Sequence, residues 1–189
     1  MQVLSLIDQA FEAPDEVKEV FTNFINNYPE TFNERSNEIG HITCSMLVLN
    51  ETRDKVLLTH HKKFNMWLQL GGHWDDNQET ALQTALRETS EEGYGELPIV
   101  CNVFLDSKPL DLDYHPVNDP LGKHTHFDIC FMCIVNKEFL INISHESHDV
   151  KWFDINEIID TAMVNSRLNR LLKKSKKVSG NTIAINVVL

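Results

Sequence analysis

The chain has 189 residues, which suits one domain with a small appendage. Hydrophobic residues make up 42% of it, so we expect a sizeable core. The formal net charge of −11 disfavours binding to a nucleic-acid backbone, which requires Lys and Arg, but bound metal ions would still allow a nucleotide substrate. The sequence shows neither a signal-peptide pattern nor a stretch of membrane-spanning length, so we expect a cytoplasmic protein without a membrane partner.

Two helices are predicted near the N-terminus, over residues 2–12 and 14–28. Pro14 suits the first position of the second helix. We assign this pair to an N-terminal helical extension, residues 1–38, that precedes a main domain at 39–189. The sequence does not decide whether the extension caps the domain, contacts a substrate or forms a dimer surface.

Strands and two more helices are predicted along the rest of the chain. The predicted strands cover 40–49, 55–60, 66–70, 97–105, 109–116, 125–135, 150–153 and 182–189, and the helices cover 155–163 and 166–177. Residues 117–123 are predicted to be an irregular loop. The basic residues of helix 166–177 suit a solvated face, so no specific nucleic-acid partner is expected. The apolar tail suits an edge strand or pairing with another subunit, which is compatible with a homodimer.

The four cysteines give no indication of a metal or redox site. Cys130 and Cys133 lie in an apolar run that is predicted to be a strand, where residues i and i+3 face opposite sides. No second Cys or His pair follows at zinc spacing. We therefore predict core cysteines with reduced thiols.

The most informative segment is 71–95, where carboxylates recur at helical spacing. Glu88, Glu91 and Glu92 stand at i, i+3 and i+4, on one face of a helix. Like charges this close repel each other, and a hard cation such as Mg²⁺, completed by substrate phosphates, would relieve that repulsion. Glutamate pairs are also common on solvated helix faces. An apolar stripe, which includes Leu86, places these carboxylates at the edge of the core instead and favours phosphate chemistry.

The segment resembles the Nudix box, G-x5-E-x7-R-E-U-x-E-E-x-G-U, in which U is a bulky apolar residue. The charged positions that match it are Glu79, Arg87, Glu88, Glu91 and Glu92. The resemblance extends to most of residues 40–160, although the box is its most specific part. The mixed order of strands and helices already suits an α+β sandwich. The resemblance implies an α/β (α+β) fold of the Nudix type, an α/β/α sandwich with a mixed sheet.

Three positions depart from the box. The loop after Gly72 carries one extra residue, and Thr89 stands where the family has a large apolar side chain. Tyr94 stands in place of the terminal glycine. Because a helix end favours a residue that can adopt the left-handed conformation, we expect Gly93 or Gly95 to end the helix.

The resemblance implies metal-dependent hydrolysis of a diphosphate linkage in a nucleoside diphosphate derivative. It implies that Glu88 and Glu92 hold Mg²⁺ or Mn²⁺, that Glu91 adds a second ion or a water, and that the carbonyl near Gly72 completes the ligand shell. Either Glu91 or Glu146 would accept the proton of the attacking water.

Two further residues of the box are given a supporting role by the same resemblance. Glu79 and Arg87 would form an ion pair that orients the loop and the helix, which is a second-shell role.

Histidines and a tryptophan cluster in sequence near the presumed cleft. We expect His73, Trp74, His124 and His126 to contact a substrate base, sugar or phosphate, since loops beside a rigid scaffold carry recognition. The alternative is that His124 and His126 alternate at the start of a strand and only form hydrogen bonds. A zinc site is disfavoured, because no carboxylate or Cys joins them at ligand spacing.

Two other functions use the same fold. A Nudix-fold sensor would bind a nucleotide derivative without cleaving it, but such modules usually lose box carboxylates that this chain keeps. An isoprenoid diphosphate isomerase would need a catalytic cysteine such as Cys44 and a histidine pattern that is not apparent. Nucleoside triphosphates, ADP-ribose, dinucleotides and coenzyme A derivatives all remain open as substrates.

Overall fold

The computed structural model describes residues 2–75, 79–94, 99–104, 107–119, 122–135, 141, 143–179 and 182–187. In these ranges the helices are α1 (Gln2–Asp8), α2 (Asp15–Asn27), α3 (Ala81–Thr89), α4 (Ile155–Ile158) and α5 (Ser166–Lys177), and a π-helical turn, Ser90–Tyr94, continues α3. The strands are β1 (Gly40–Asn50), β2 (Lys55–His61), β3 (Met66–Leu68), β4 (Leu70–His73), β5 (Ile99–Phe104), β6 (Asp111–Asp119), β7 (Gly122–Val135), β8 (Ser147–Asp154) and β9 (Thr182–Val187). None of the described helices is both long and apolar enough to span a bilayer.

The sheet is organised around the parallel pair of β1 and β7. Their register runs from Gly40 opposite Thr125 to Asn50 opposite Val135. The other edge of β1 pairs antiparallel with β4 and then with β2, which in turn pairs with β3 and β8. On its other edge β7 pairs antiparallel with β6 and with β5, and β9 adds to β5. The predicted mixed sheet is therefore confirmed.

Helices cover both faces of this sheet, because β1 and β7 are apolar on both sides. Ile42, Cys44 and Met46 pack in one cluster with residues of α1, α2 and α3. Leu47 and Leu49 face the other way and pack with α4 and α5. Strands buried on both faces lose the apolar–polar alternation of a half-exposed strand. The result is the predicted α/β/α sandwich.

The second face of the sheet becomes polar towards the beginning of β1. His41, Thr43 and Ser45 continue the row of Leu47 and Leu49 along the strand, and all three are buried. Across the pair, His126 lies opposite His41 and Asp128 lies opposite Thr43. Several of these residues line a cleft. One half of this face is therefore part of the apolar core. The other half, formed by His41, Thr43, Ser45, His126 and Asp128, is a polar floor.

The two N-terminal helices pack on the same core as β7. The ring of Phe24 stacks on Phe127 with centroids 4.0 Å apart, and Phe21 meets Phe127 edge-on at 5.5 Å. The backbone N–H of Ile42 also donates to the carbonyl of Phe32. These contacts show that the helices cap the sheet, while the domain boundary at residues 38 and 39 stays a prediction.

Two helices are shorter than predicted. The first ends at Asp8 and not at residue 12, because the N–H of Phe11 donates to the carbonyl of Pro109 and Glu12 adopts a left-handed φ of 46°. The helix predicted over 155–163 ends at Ile158, since Asp160 adopts a φ of 60°. Tertiary hydrogen bonds and left-handed residues thus override the apolar periodicity.

The single strand predicted over 66–70 is in fact split between two strands, β3 and β4. β3 pairs with β2, whereas β4 pairs with β1 and contains both glycines. A Cβ atom at Gly71 would lie only 2.5 Å from the Cα of Ser45. Gly71 therefore serves the close approach of β4 to β1.

The loop predicted over 117–123 is largely a hairpin. β6 continues through Val117 to Asp119, opposite His124 to Gly122 at the start of β7. Ladder hydrogen bonds to β7 outweigh the local turn signals, while Pro120 lies outside the described residues. In the tail, β9 pairs with β5 of the same chain, so the predicted edge strand is confirmed.

The cysteine prediction is confirmed for the described side chains. Cys44, Cys130 and Cys133 are buried. Cys130 packs in the α5-side cluster and Cys133 in the opposite one, as expected for residues i and i+3 of a strand. Their spacing therefore reflects burial on two faces of β7.

The basic residues of α5 are not a uniformly solvated face, which corrects the prediction. Lys174 is buried, and its ammonium lies 2.7 Å from Asp111. Arg170 bridges Asp111 at 2.8 Å and Asp113 at 2.6 Å, and Arg167 pairs with Asp128. These pairs hold α5 on the sheet through charges that a pattern of apolar residues does not reveal.

Candidate active site

The ion pair between Glu79 and Arg87 has formed in the structure. The Nε of Arg87 lies 3.1 and 3.2 Å from the two carboxylate oxygens of Glu79, and Thr84 donates to the same carboxylate at 3.0 Å. The guanidinium also donates to the carbonyl of His73 at 3.2 Å and to Glu88 at 2.9 Å. Arg87 therefore fixes α3, the loop before it and the end of β4 relative to one another.

Glu88 lies directly over Gly72. A Cβ atom on that glycine would be 2.3 Å from a carboxylate oxygen of Glu88, so no larger residue fits at position 72 without moving the carboxylate. Burial raises the pKa of Glu88 to about 7, although the charge of Arg87 opposes this shift. The carboxylate thus sits in a poorly solvated position against the backbone of β4.

Glu92 is the most buried of the box carboxylates, with 5% of its surface exposed. One of its oxygens accepts a hydrogen bond of 2.9 Å from the N–H of Gly71. Burial, reinforced by the charges of Glu88, Glu146 and Glu91, raises the pKa of Glu92 to about 8. A carboxyl group in this environment gains strongly from a cation.

The end of the helix shows how two of the three departures from the box are accommodated. Thr89 is buried, but its hydroxyl donates to the carbonyl of Ala85 at 2.7 Å, so no polar group is left unpaired. The π-helical turn then carries Glu91 and Glu92. Gly93 lies inside this turn without a left-handed φ, and a Cβ there would be 3.1 Å from the side chain of Leu70. The predicted left-handed exit at Gly93 is therefore wrong, and Gly95 lies outside the described residues.

The predicted common face of the three carboxylates is uneven in its environment. Glu91 has a side chain that is 57% exposed and lies 3.4 Å from Arg87, whereas Glu88 and Glu92 are largely buried. The ligand atoms of Glu92, Glu146 and His61 lie within 4.8 Å of one another. The structure thus brings Glu146 from a distant loop to the buried end of the box.

His61 was not identified from the sequence. It ends β2, and the neighbouring Lys62 anchors the loop of Glu146: its N–H donates to the carbonyl of Glu146 and its ammonium to the carbonyl of His145. Burial lowers the pKa of His61, so the ring favours its neutral form. No local motif marks this histidine, because its role depends on the pairing of β2 with β8, which places 60 and 61 beside the loop.

The cleft has a cationic wall beside the carboxylates. A cavity of about 420 Å³ is lined there by Arg35, Lys62 and Lys63 together with Glu146. Arg35 also donates from Nε to Asp75 at 2.8 Å, which holds it at the rim. Cations facing carboxylates across a cleft provide charges for both a metal ion and a phosphate chain.

A second cavity next to this wall has more apolar side chains in its lining than the first. It measures about 450 Å³, and its lining includes Phe64, Met66, Tyr114 and Val117. Tyr114 is 48% exposed and Met66 is 41% exposed, which is unusual for large apolar side chains outside a binding surface. This cavity and the polar floor share Phe64 and Arg167, so one ligand could occupy both.

The residues predicted to contact a substrate are not all in the cleft lining. His73 and His126 line it, beside Glu92. Trp74 is buried against Phe32 in the core, and its Nε1 donates to a backbone carbonyl. His124 is buried next to His126, with ring centroids 5.1 Å apart.

The isomerase alternative is not supported by the environment of its cysteine. Cys44 is buried within β1, and burial raises the pKa of its thiol far above the usual value. A nucleophilic cysteine requires a thiolate in an accessible, electropositive position. Cys44 is a core residue here.

Comparison with known families agrees with this geometry. The model of the NUDIX domain matches residues 40–174, which is most of the chain. The protein belongs to the Nudix family. The prediction of a Nudix hydrolase, an enzyme class that acts on diphosphate bonds, is thereby confirmed at the level of the family. Among curated protein sequences, no match was found.

Solved structures of Nudix proteins have the same fold. An Ap4A hydrolase from C. elegans, solved as a binary complex, is 18% identical with a TM-score of 0.54, over 72% of this chain and 95% of its own. A NUDIX-family hydrolase from Clostridium perfringens is 20% identical with a TM-score of 0.54, over 72% and 96%. The NUDIX domain of Shewanella oneidensis NrtR, complexed with ADP ribose, is 18% identical with a TM-score of 0.54, over 80% and 96%.

Proposed function

We propose that this Nudix protein hydrolyses a diphosphate linkage in a nucleoside diphosphate derivative, with Mg²⁺ or Mn²⁺ as cofactor. The observation that carries the proposal is the burial of Glu88 and Glu92 side by side at a cleft, with both pKa values raised. Near pH 7, Glu92 would be largely neutral and Glu88 only partly ionised unless a further cation joined them. An apolar pair would stabilise the fold at least as well, so the carboxylates favour a functional role.

The donor set suits a hard divalent ion. Glu88 and Glu92 would hold it, Glu146 supplies a further oxygen from the facing loop, and Glu91 lies at the exposed rim, where a second ion or its waters would be accessible. Oxygen ligands of this kind are those preferred by Mg²⁺ and Mn²⁺. When bound, the ion neutralises phosphate charge and lowers the pKa of its water.

The other charged residues of the site would have different roles in the reaction. Glu146 faces the buried carboxylates across the cleft, while Glu91 is engaged with Arg87. We therefore favour Glu146 over Glu91 as the acceptor of the proton from the attacking water. Arg87 and Glu79 position the other groups and do not touch the reacting atoms.

The walls of the cleft suggest how the substrate lies. Lys62, Lys63 and Arg35 would contact the phosphate that faces away from the carboxylates. The apolar cavity beside Tyr114 and Phe64 suits a nucleobase stacked on an aromatic ring. The cytoplasmic location and the homodimer expected from the sequence stay predictions.

The test is cleavage of a substrate panel followed by mass spectrometry of the products. Nucleoside triphosphates, nucleotide sugars including ADP-ribose, dinucleotides and coenzyme A would be incubated with the protein, with and without Mg²⁺ or Mn²⁺. We expect metal-dependent cleavage of at least one compound, and a loss of roughly 100-fold or more in Glu92→Gln, since changes behind a metal ligand alone cost about 10–100-fold. Full activity of Glu92→Gln would sink the proposal. Saturable binding of a compound without any cleavage would favour a sensor instead.

A further inference from the structure

Strand register brings three histidines from separate parts of the chain together beside the carboxylate site. His41 and His126 are directly opposite in the parallel pair of β1 and β7, and His73 lies opposite Thr43 on the other edge of β1. The ring centroids are 5.1 Å apart for His41 and His73, 4.9 Å for His41 and His126, and 5.2 Å for His73 and His126. The three imidazoles therefore form a triangle on the polar floor of the cleft.

The nitrogens of this triangle converge. One ring nitrogen from each of the three histidines lies within 4.8 Å of the other two. Tetrahedral coordination at about 2.0–2.1 Å spaces the ligand nitrogens roughly 3.3 Å apart, so small ring rotations would close the difference. The residues are carried on paired strands, which hold their Cα positions rigidly.

His126 has the properties of a metal ligand. It is 9% exposed, and its Nε2 has no hydrogen-bond partner in the described part of the chain. Burial, together with the neighbouring histidines, lowers the pKa of His126 to about 2, so its ring is neutral and keeps a lone pair on nitrogen. A buried nitrogen of this kind needs a partner, and a metal ion supplies one.

We propose that His41, His73 and His126 form a second metal site, selective for a transition metal of the Zn²⁺ class. Three imidazole nitrogens suit Zn²⁺ and its neighbours in the transition series, whereas Mg²⁺ prefers oxygen ligands. His73 and His126 also line the cleft, so a fourth coordination position would be open to water or to a substrate oxygen. The site is distinct in donor chemistry from Glu88, Glu92 and Glu146, and its existence does not depend on the hydrolase proposal.

Neighbouring histidines have other roles. His124 packs 4.8 Å from His41, but its Nδ1 faces the carbonyl of Gly122 at 3.1 Å. His115 lies 5.8 Å from His126, and its Nδ1 is 3.0 Å from Asp113. Neither belongs to the converging triangle, so three protein ligands are expected and not four or five.

The test is metal content and metal spectroscopy of the intact protein. Protein freed of metal with a chelator would be dialysed against limiting Zn²⁺ in excess Mg²⁺ and then analysed by elemental mass spectrometry. We expect a single Zn²⁺ to be retained per chain, a higher Tm on Zn²⁺ addition, and visible Co²⁺ bands of the intensity typical of four-coordinate nitrogen sites. His73→Gln, which changes the most accessible ligand, and His126→Gln should each lower Zn²⁺ affinity by roughly 100-fold or more, beyond the 10–100-fold typical of second-shell changes.

Matched controls separate this site from the other possibilities. His148→Gln removes an exposed histidine and should leave Zn²⁺ retention unchanged. Glu92→Gln should also retain Zn²⁺, whatever happens to turnover, so failure of the hydrolase proposal and of this one are distinguishable. Retention that survives in His73→Gln and His126→Gln, or a wild-type protein that retains no Zn²⁺, would overturn the proposal. Loss of Zn²⁺ binding in a variant supports the proposal only if the metal-free variant is folded, as shown by a far-UV circular dichroism spectrum and a Tm that match those of the metal-free parent.

Discussion

The molecule has two groups of carboxylates, and their environments are opposite. The aspartate cluster consists of Asp111, Asp113 and Asp128, and the glutamate cluster consists of Glu88, Glu91, Glu92 and Glu146. Each aspartate has a cationic partner from α5. Although burial acts in the other direction, hydrogen bonds and charges from His115, Arg167 and Arg170 hold the pKa of Asp113 at about 2.

In the glutamate cluster the charges are not balanced. Within the described residues, Glu92 accepts a hydrogen bond from the backbone N–H of Gly71 and is surrounded by three other carboxylates, and burial raises its pKa to about 8. Arg87 is shared by Glu79, Glu88 and Glu91. The aspartates are paired with cations of the chain itself and hold α5 on the sheet. The glutamates outnumber Arg87, which pairs with Glu88 and Glu91, and this favours the binding of a cation from outside the chain.

The largest effect is expected from replacing the two candidate bases, Glu146 and Glu91, one at a time with glutamine. Glu146→Gln should lower kcat by roughly 10²–10⁴-fold, the usual contribution of general base catalysis. Glu91→Gln should have a smaller effect, because its carboxylate is paired with Arg87, whereas that of Glu146, which is equally exposed, lies beside Glu92. The measurement is steady-state kinetics at saturating metal on the substrate found in the panel. A larger loss in Glu91→Gln than in Glu146→Gln would reverse the assignment.

Breaking a pair in the aspartate cluster should affect stability and not turnover. In Lys174→Met a buried ammonium is lost beside Asp111, and removal of one member of a buried pair costs roughly 3–5 kcal/mol. Lys173→Met is the matched control, because Lys173 is 51% exposed in its pair with Asp160 and such pairs contribute about 0–1 kcal/mol. Denaturant unfolding measures both. Equal losses in the two variants would show that Lys174 is not a structural cation.

A positioning role for Glu79 predicts an intermediate effect. Glu79→Gln should lower kcat by about 10–100-fold, the range seen when groups behind metal ligands are changed. Arg87→Gln should cost at least as much, because Arg87 also contacts Glu88 and Glu91, and the double variant should be no worse than Arg87→Gln alone, since Glu79 acts through Arg87. Fully additive losses in the three variants would argue that each residue acts independently.

A further expected effect is a dependence of stability on pH in the metal-free protein. The folded pKa values of Glu88 and Glu92, about 7 and 8, lie above the value of 4.5 for an unperturbed carboxyl. The folded state therefore binds more protons, and its stability falls as pH rises from about 5 to about 8. The two raised pKa values together correspond to several kcal/mol of stability, so Tm should drop by roughly ten degrees or more over this window, since 1 kcal/mol moves the Tm of such a chain by roughly 2–4 °C.

The control for the pH effect is the variant Glu88→Gln with Glu92→Gln, which should show a flatter profile. Addition of Mg²⁺ should restore the Tm of the parent at pH 8, because the ion takes the place of the protons. A Tm of the metal-free parent that rises between pH 6 and 8 would contradict the raised pKa values.

Much of the fold could be predicted because its signals are local. The apolar stretches that became β1 and α2 were located to within one residue at each end, whereas β7 begins three residues before its predicted start. The predictions were wrong where long-range contacts determine the structure. The N–H of Phe11 donates to the carbonyl of Pro109, so the first helix ends early. Pairing with β7 makes Val117 part of a strand and not of a loop. The box was recognised for the same reason as the helices, since its spacing lies within one short segment.

The rest of the site could not be predicted, because it is assembled by register. Nothing in the sequence next to His61 or His41 indicates that one approaches Glu92 and the other approaches His126. The burial of Trp74 could not be predicted from the residues around it, because its partner Phe32 lies in the segment before β1. Short motifs indicate a reaction class, while strand pairing decides which distant side chains accompany them.

The parallel pair of β1 and β7 has a consequence for how the protein folds. Thr43 and Asp128, which meet across it, are 85 residues apart in the chain. Closing so long a loop costs conformational entropy before any contact compensates for it, so this pair should form late and slowly. Both candidate metal sites depend on the strands held together by this pair. A nascent or partly unfolded chain would therefore have the box helix but neither binding site, and metal capture would report completed folding.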